Sequence, residues 1–139
     1  MMLVRASDRY AGNRVREVGE ISEGLMALAQ ELDVAVVALC QLNRSVEGRD
    51  NKRPTLADLR DSGEVEQNAS LVILLYRPAY YLEQKREDDP VVERERKALL
   101  EKDRHQLEFI VSKNRNGRPG VVDAFVNIRA NAVRNAAFG

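Results

Sequence analysis

An apolar periodicity followed directly by an unbroken apolar run constrains the fold of this chain more than any other feature. Between Arg14 and Leu32, apolar side chains recur every three to four residues, which predicts an amphipathic helix that packs one stripe on a sheet. Asp33 breaks this pattern, and residues 34–40 (VAVVALC) then form a continuous apolar run typical of a strand buried on both faces. A helix that leads into a buried strand predicts an α/β fold with a parallel sheet.

Composition indicates a globular protein. The chain has 139 residues, which fits one domain, and its 44% hydrophobic and 32% charged residues argue against a disordered chain or a membrane protein. No apolar run approaches the length of a bilayer span, and the N-terminus does not resemble a signal peptide, so we expect a cytoplasmic location and no membrane partner. The single Cys40 lies in the apolar run and is expected to be a buried, inert thiol. With His105 as the only histidine, a zinc site or a Ser-His-Asp or Cys-His arrangement is rejected.

Net charge gives no argument for a nucleic-acid partner, because 22 basic residues balance 22 acidic ones. The distribution of charge along the chain gives a weak argument for such a partner, because the stretch from Ser112 onward carries five basic residues and a single acid, Asp123. A solvated basic surface explains that stretch equally simply.

A long polar connection and two short helices follow the apolar run. Residues 41–54 (QLNRSVEGRDNKRP) are long for a connection in a compact domain, which indicates a mobile or functional segment. Thr55 is expected to cap a short helix through Leu59, with Asp58 completing an approximate capping box, and a second short helix is expected over Glu64–Asn68.

The remainder of the chain predicts a strand, an insertion and a hairpin. Residues 71–76 (LVILLY) predict a second buried strand. A peripheral, charged insertion is expected at about residues 78–105, with a helix from Val91 to Arg104 after the break at Asp88-Asp89-Pro90. Residues 106–112 and 120–128 flank a Gly- and Pro-containing turn and predict a β-hairpin.

Three groups of polar residues are candidate sites. Gln41 directly follows a predicted buried strand, where ligands bind in open parallel sheets. Residues 60–63 (RDSG) form a polar turn that could approach a phosphate, and Lys113 and Arg115 stand at the mouth of the hairpin, where strand alternation would point both to one side. Taken singly, each group fits an ordinary loop, a tight turn or a solvated hairpin better than a site.

The motifs are more specific in combination than each group of polar residues is by itself. The run VVALCQLNRSVEGRDNKRPTLADLRDSGEVEQNASLVILLYR, followed later by VSKNRNGRPG, resembles the bacterial replicative DNA helicase (DnaB) family of RecA-like motors over nearly the whole chain. The resemblance implies that residues 1–139 form the C-terminal portion of a RecA-like ATPase domain. Its fold would be α/β, with a partial RecA-like sheet of parallel core strands plus a C-terminal β-hairpin and flanking helices.

The resemblance also implies roles for individual residues. Gln41 matches the glutamine that senses the terminal phosphate of ATP, while Lys113 and Arg115 match the basic pair that reaches into the ATP site of the neighbouring subunit, with Arg115 as the arginine finger. These three would be the catalytic and nucleotide-binding residues. Arg60, Asp61 and Gly63 match the loop that binds the backbone of single-stranded DNA.

The chain departs from the family pattern at several positions. Cys40 replaces a serine, Asn114 stands where glutamine is common, and the insertion at 78–105 is longer than in many members, so no function is carried onto it. More seriously, the sequence contains no G-x-x-x-x-G-K-[ST], and the magnesium-binding aspartate would fall just ahead of Met1. ATP and Mg²⁺ would therefore both need residues upstream of this chain, which alone is expected to be inactive.

The implied full-length protein is a hexameric, ATP-dependent helicase that translocates on single-stranded DNA and unwinds duplex DNA at the replication fork. Its partners would be single-stranded DNA and neighbouring helicase subunits, with primase and a helicase loader contacted through the full-length protein. One alternative is a non-catalytic relative that binds single-stranded DNA or interacts with a helicase ring. Another RecA-like ATPase, such as a recombinase or circadian-clock type, fits the words LRDSGEVEQ and SKNRNG less well.

Overall fold

The computed structural model describes residues 7–136, except for the side chains of Asp8, Arg14 and residues 60–62. The α-helices are α1 (Arg14–Glu31), α2 (Gly63–Asn68), α3 (Pro78–Gln84) and α4 (Pro90–Asp103). The strands are β1 (Leu71–Tyr76), β2 (Gln106–Asn114), β3 (Gly120–Asn127) and β4 (Ala132–Asn135). Three short 3₁₀ segments lie at Asp8–Tyr10, Arg44–Gly48 and Leu56–Ser62. The described residues fall into two compact units. The first comprises residues up to Val72 together with Asn114–Asn116, and the second comprises Ile73–Lys113 and the residues from Gly117 onward.

Helix α1 organises the first unit and confirms the helix predicted from the apolar periodicity. The side chain of Asn13 caps it by accepting a hydrogen bond from the Arg16 N–H at 3.3 Å. Asp33 has φ of 50°, in the left-handed region that often follows a helix, which is why the helix ends there. The helix packs against α2 and the Leu56–Ser62 segment, with Val18 and Ile21 buried.

The buried strand predicted at residues 34–40 is wrong for this chain. The segment forms no strand, and every residue in it is exposed, with Val37 at 86% and Leu39 at 82%. Cys40 is exposed as well, contrary to the expected buried thiol. A strand buried on both faces needs neighbours for its backbone and covering layers for its side chains. The sheet formed by the described part of the chain does not include this segment.

The connection after Gln41 is more ordered than its composition predicted. It contains the 3₁₀ segment Arg44–Gly48, in which Val46 is buried. The predicted cap at Thr55 is confirmed, because the Asp58 carboxylate accepts a hydrogen bond from the Thr55 N–H at 2.7 Å. The short helix expected over Glu64–Asn68 is also confirmed, as α2.

The four strands form one sheet in the order β1-β2-β3-β4. Strands β2 and β3 are antiparallel, with Gln106 opposite Phe125 and Val111 opposite Gly120, and β4 pairs antiparallel with β3. This arrangement confirms the predicted hairpin and the α/β class. Leu107, Ala124 and Val126 form the core of the sheet, with Phe109 packed against them.

Two details of the sheet differ from expectation. The strands are antiparallel, so the described residues contain no parallel core pairing. Strand β1 buries Val72 and Leu74 but exposes Leu71, Ile73 and Leu75, so it is covered on one face and not on both. An apolar run does not show whether a covering layer lies on one face of a strand or on both, so the sequence of β1 could not distinguish the two cases.

The insertion forms two helices that pack on each other. Helix α4 confirms the predicted charged helix and buries none of its residues, as expected of a peripheral element. Helix α3 was not predicted; Pro78 at its start has the fixed φ that suits a first helical turn. The Arg96 guanidinium donates to the Leu82 carbonyl at 2.5 Å and thereby links the two helices.

No helix in the described range, residues 7–136, is both long and apolar enough to cross a membrane.

Candidate functional site

Gln41, the predicted phosphate sensor, lies exposed directly after the exposed apolar segment 34–40. The chain becomes anchored two residues later, where the Asn43 N–H donates to the Asp58 carbonyl at 2.9 Å. The Asn43 side chain also accepts from the Ser45 N–H at 3.0 Å and so caps the 3₁₀ segment Arg44–Gly48. Gln41 is therefore attached on one side to an ordered turn and on the other to an exposed apolar segment.

Residues 60–63, the predicted DNA-binding turn, lie where the 3₁₀ segment Leu56–Ser62 continues into α2. The side chains of Arg60 and Asp61 lie outside the described part of the structure. Gly63 is exposed, with φ of −53° and ψ of −35°, and a Cβ there would meet nothing within 4 Å. Neither the backbone conformation nor the packing of this chain therefore requires glycine at this position.

A buried carboxylate holds the segment that precedes this turn. Asp58 is 4% exposed and accepts hydrogen bonds from the Thr55 backbone and from the Arg49 guanidinium, whose Nη2 lies 2.8 Å from Asp58 Oδ2. Burial acts to raise the pKa of Asp58, but the hydrogen bonds from Thr55 and Arg49 outweigh it and hold that pKa below the ordinary value. Sequence reasoning found the cap and missed Arg49, because nothing in the spacing distinguishes it from the other basic residues of this connection.

Arg115, the predicted arginine finger, is exposed and is joined to the last turn of α2. Its backbone N–H donates to the Ser70 carbonyl at 2.9 Å, and its guanidinium donates to the Gln67 carbonyl. A cation at the carboxyl end of a helix interacts favourably with the exposed carbonyls there. The structure thus brings Arg115 against the helix that continues directly from residues 60–63.

Lys113, the second predicted cation, lies on β2 and is half-buried. It belongs to the second unit, whereas Arg115 belongs to the first. The turn between β2 and β3 is ordered locally by Asn114, whose side chain accepts from the Asn116 N–H at 3.1 Å.

Helix α2 is joined to α1 at both of its ends. Near its start, the Glu64 side chain lies over Gly19, where a Cβ would overlap its carboxylate. At its end, the Asn68 side-chain amide donates to the Ser22 hydroxyl at 2.6 Å. Sequence reasoning missed both contacts; the available signal was the pair of small residues, Gly19 and Ser22, three positions apart on one face of α1.

A separate basic cavity of about 430 Å³ lies within the second unit, lined by Arg77, Glu83, Arg104, His105, Asn127, Ile128 and Arg129. The His105 Nδ1 lies 2.8 Å from the Val126 carbonyl, which can only accept, and its ring stacks on Phe125 at 4.7 Å. These contacts hold the imidazole ring of the single histidine against β3.

The residues of this chain do not fit a magnesium–nucleotide site by themselves. The sequence has no glycine-rich phosphate loop. Among the side chains that the structure describes, no three of His, Cys, Asp or Glu are grouped so that they could hold a metal ion. The candidate residues that the chain does supply are Gln41 after the apolar segment 34–40, the polar turn at residues 60–63, and the two cations Lys113 and Arg115.

The sequence matches a known protein family over nearly its whole length. The model of a protein family described as the DnaB-like helicase C terminal domain matches residues 1–134. Replicative DNA helicase DnaB of Geobacillus stearothermophilus is 42% identical over 127 residues, which is 91% of this chain and 24% of that protein. The protein of the same name from Rickettsia bellii is 42% identical over 130 residues, covering 90% of this chain and 26% of its own length.

Solved structures agree with the sequence relatives. A DnaB-like replicative helicase, whose structure was described with its interactions with primase, superposes with a TM-score of 0.74 at 34% identity, covering 95% of this chain and 28% of that one. A second solved structure, an ATPase domain, superposes with a TM-score of 0.75 at 33% identity, covering 95% of this chain and 40% of that one. The chain spans about a quarter of the length of the replicative helicases that it matches. On its sequence and its fold, the chain belongs to the family of DnaB-like helicase C-terminal domains.

Proposed function

We propose that this chain works as part of a hexameric, ATP-dependent replicative DNA helicase that translocates on single-stranded DNA and unwinds duplex DNA at the replication fork. Family membership supports this, since its relatives are replicative DNA helicases. The observation that carries the proposal is the attachment of Arg115 to α2, because it links a candidate ATP-site cation to the helix that follows the candidate DNA turn.

The DNA-binding role rests on residues 60–63. Gly63 is exposed, and nothing in the described part of the chain lies within 4 Å of where its Cβ would be, so a phosphate could approach its backbone closely. Arg60 would contact a phosphate, and Asp61 would help to shape the turn. Contacts of this kind make binding sensitive to salt and indifferent to base sequence.

The nucleotide-binding role rests on three residues, with ATP as the substrate. Arg115 would act in trans on ATP held by the neighbouring subunit and stabilise negative charge on the phosphoryl group in transfer, an effect on the order of a thousandfold in related enzymes. Lys113 would supply a second positive charge, and Gln41 would sense the terminal phosphate. The phosphate loop and the magnesium ligands are not among the residues of this chain, so its own part in the reaction is confined to these three side chains.

Partners of the full-length protein follow from the same proposal. Neighbouring helicase subunits would contact Arg115 and Lys113, and single-stranded DNA would contact residues 60–63. One solved relative was described with its interactions with primase. We propose that primase and a helicase loader are contacted through other parts of the full-length protein.

ATP hydrolysis by the isolated chain, with and without poly-dT, tests the proposal. The comparison is a hybrid helicase, in which the upstream part of the Geobacillus stearothermophilus DnaB is joined to this chain in place of the matching segment. We expect only the hybrid helicase to hydrolyse ATP, and poly-dT to stimulate it. Hydrolysis by the isolated chain, or an inactive but hexameric hybrid, would contradict the proposal.

A non-catalytic relative that acts on a helicase ring is the second candidate function. The exposed apolar segment 34–40 favours it, because an apolar segment that lies outside any sheet can pair with another chain. Adding the isolated chain to an intact DnaB and measuring unwinding distinguishes the two. Loss of unwinding at stoichiometric amounts of the chain, together with an inactive hybrid helicase, would favour the second candidate.

A further inference from the structure

Helix α2 is too short to hold its own position. It has six residues, and isolated helices of that length are not stable in water, so its place in the first unit depends on its contacts. The Asn68 side chain supplies one of them by donating to the Ser22 hydroxyl at 2.6 Å. Ser22 is only 8% exposed and lies on α1, which is the longest helix described in this chain.

Arg115 is attached to both sides of Asn68. Its guanidinium donates to the carbonyl of Gln67, the residue before Asn68, and its backbone N–H donates to the carbonyl of Ser70, two residues after it. Residues 67–70 therefore determine where the backbone of Arg115 lies and in which direction its side chain extends. The bond from Asn68 to Ser22 in turn holds these residues on α1.

We infer that Asn68 and Ser22 are positioning residues for the Arg115 guanidinium. Their hydrogen bond fixes the turn at residues 67–70, and this turn orients the Arg115 side chain toward the phosphoryl group of ATP. This inference rests on the proposed function, in which Arg115 is the arginine finger. A charge that acts on a transferring phosphoryl group must be placed accurately, and a misplacement of about 1 Å can lower the rate on the order of a hundredfold. In the proposed function neither residue contacts ATP, so both would act on hydrolysis through the position of Arg115.

A double-mutant cycle in the hybrid helicase tests the inference, with DNA-stimulated ATP hydrolysis as the measurement. We expect Arg115→Ala to lower kcat on the order of a thousandfold. Asn68→Ala should lower kcat on the order of tenfold or more, with KM changed by less than about twofold. In the Arg115→Ala background, Asn68→Ala should have no further effect. An equal, additive loss in both backgrounds would overturn the inference while leaving the proposed function intact.

Two matched variants separate positioning from general damage. Asn68→Asp retains a hydrogen bond with its direction reversed, because the Ser22 hydroxyl can donate to the new carboxylate, so it should recover most of the activity that Asn68→Ala loses. Gln30→Ala, at an exposed position on the same helix as Ser22, should have no effect. Ser22→Ala removes the same hydrogen bond from the other side and should reproduce Asn68→Ala; a Ser22→Ala variant with full activity would contradict the inference.

Hydrogen exchange on the 139-residue chain provides a readout that does not depend on catalysis. The amide of Arg115 is protected by its bond to Ser70, and we expect Asn68→Ala to speed its exchange by about tenfold or more relative to an amide of β3. Unchanged protection of Arg115 would overturn the inference. If Arg115→Ala instead leaves ATP hydrolysis unchanged, the arginine-finger role fails, and the exchange measurement still decides whether Asn68 holds Arg115 in place.

Discussion

Asp58 accepts three hydrogen bonds while almost fully buried, and one of them comes from Arg49, whose Nη2 lies 2.8 Å from Asp58 Oδ2. The other two donors are the Thr55 N–H at 2.7 Å and the Thr55 hydroxyl at 3.1 Å. Arg49 also donates to the Arg53 carbonyl at 3.3 Å. One carboxylate thus ties the connection after Gln41 to the 3₁₀ segment that leads into residues 60–63.

We expect Asp58→Ala to lower the free energy of unfolding by about 1–3 kcal/mol, because it removes the buried carboxylate to which the Thr55 N–H and the Arg49 guanidinium donate. Urea unfolding followed by circular dichroism measures this change. The exposed Asp50, in the same connection, is the matched control, and Asp50→Ala should change stability by less than about 0.5 kcal/mol. Equal effects of the two substitutions would contradict the importance of the buried carboxylate.

We expect the stability of the chain to fall as the pH drops from 4.5 to about 2. A hydrogen bond from Arg96 lowers the pKa of Glu93 from 4.5 to about 2, and the pKa of Asp58 also lies below its ordinary value of 3.8. A carboxyl with a depressed folded-state pKa contributes stability that is present above its unfolded pKa and is lost as the pH falls through the folded one. Urea midpoints at about pH 5, 4 and 3 measure the loss.

The Glu93 contribution to this pH dependence is separable. Glu93→Gln removes the titrating group, so the decline in the urea midpoint between pH 4.5 and about 2 should become shallower. Glu95→Gln, at an exposed position on the same helix, is the matched control. A Glu93→Gln variant with the same pH dependence as the unaltered chain would show that the pair with Arg96 does not contribute.

We expect Cys40 to react rapidly with a maleimide in the isolated chain, because its side chain is exposed there. In the hybrid helicase, the upstream strands should pair with residues 34–40 and slow the reaction by about tenfold or more. Mass spectrometry of the labelled protein measures both rates. Equal rates in the two proteins would indicate that this segment stays exposed even when the upstream strands are present.

We expect the isolated chain to self-associate through residues 34–40, and Val37→Lys to reduce that association. Val37 and Leu39 are 86% and 82% exposed, and a contiguous, exposed apolar segment promotes pairing between chains. Sedimentation velocity at increasing concentration measures the effect. Val91→Lys, at an exposed apolar position on α4, is the matched control and should leave association unchanged.

Under the proposed function, Arg60→Ala should weaken binding of single-stranded DNA and reduce its salt dependence. Removing one phosphate contact lowers the slope of log K against log salt concentration by about 0.7 for a single strand. Fluorescence anisotropy with labelled poly-dT and poly-dA, at several salt concentrations, measures the slope in the hybrid helicase. The exposed Arg44 supplies the control variant Arg44→Ala. An unchanged slope for Arg60→Ala would exclude Arg60 from the DNA contact.

Features that depend on near neighbours in the chain could be predicted from the sequence. The periodicity of α1, the cap at Thr55, the charged helix α4 and the hairpin of β2 and β3 all rest on contacts a few residues apart or on turn residues, so the pattern carries the necessary information. The candidate residues were found because the chain resembles replicative helicases in the order of its sequence motifs, even though single positions within the motifs differ.

Only the tertiary structure decided which apolar segments are covered and which side chains meet. Residues 34–40 and β1 are both apolar runs, yet the first is exposed and forms no strand, while the second is buried on one face, because burial depends on partners that the run itself does not encode. The contact of Arg115 with Gln67 joins residues 48 positions apart in the sequence, a distance over which no local pattern carries information. The bond between Asn68 and Ser22, 46 positions apart, is of the same kind. Chain folding alone brings such pairs into contact.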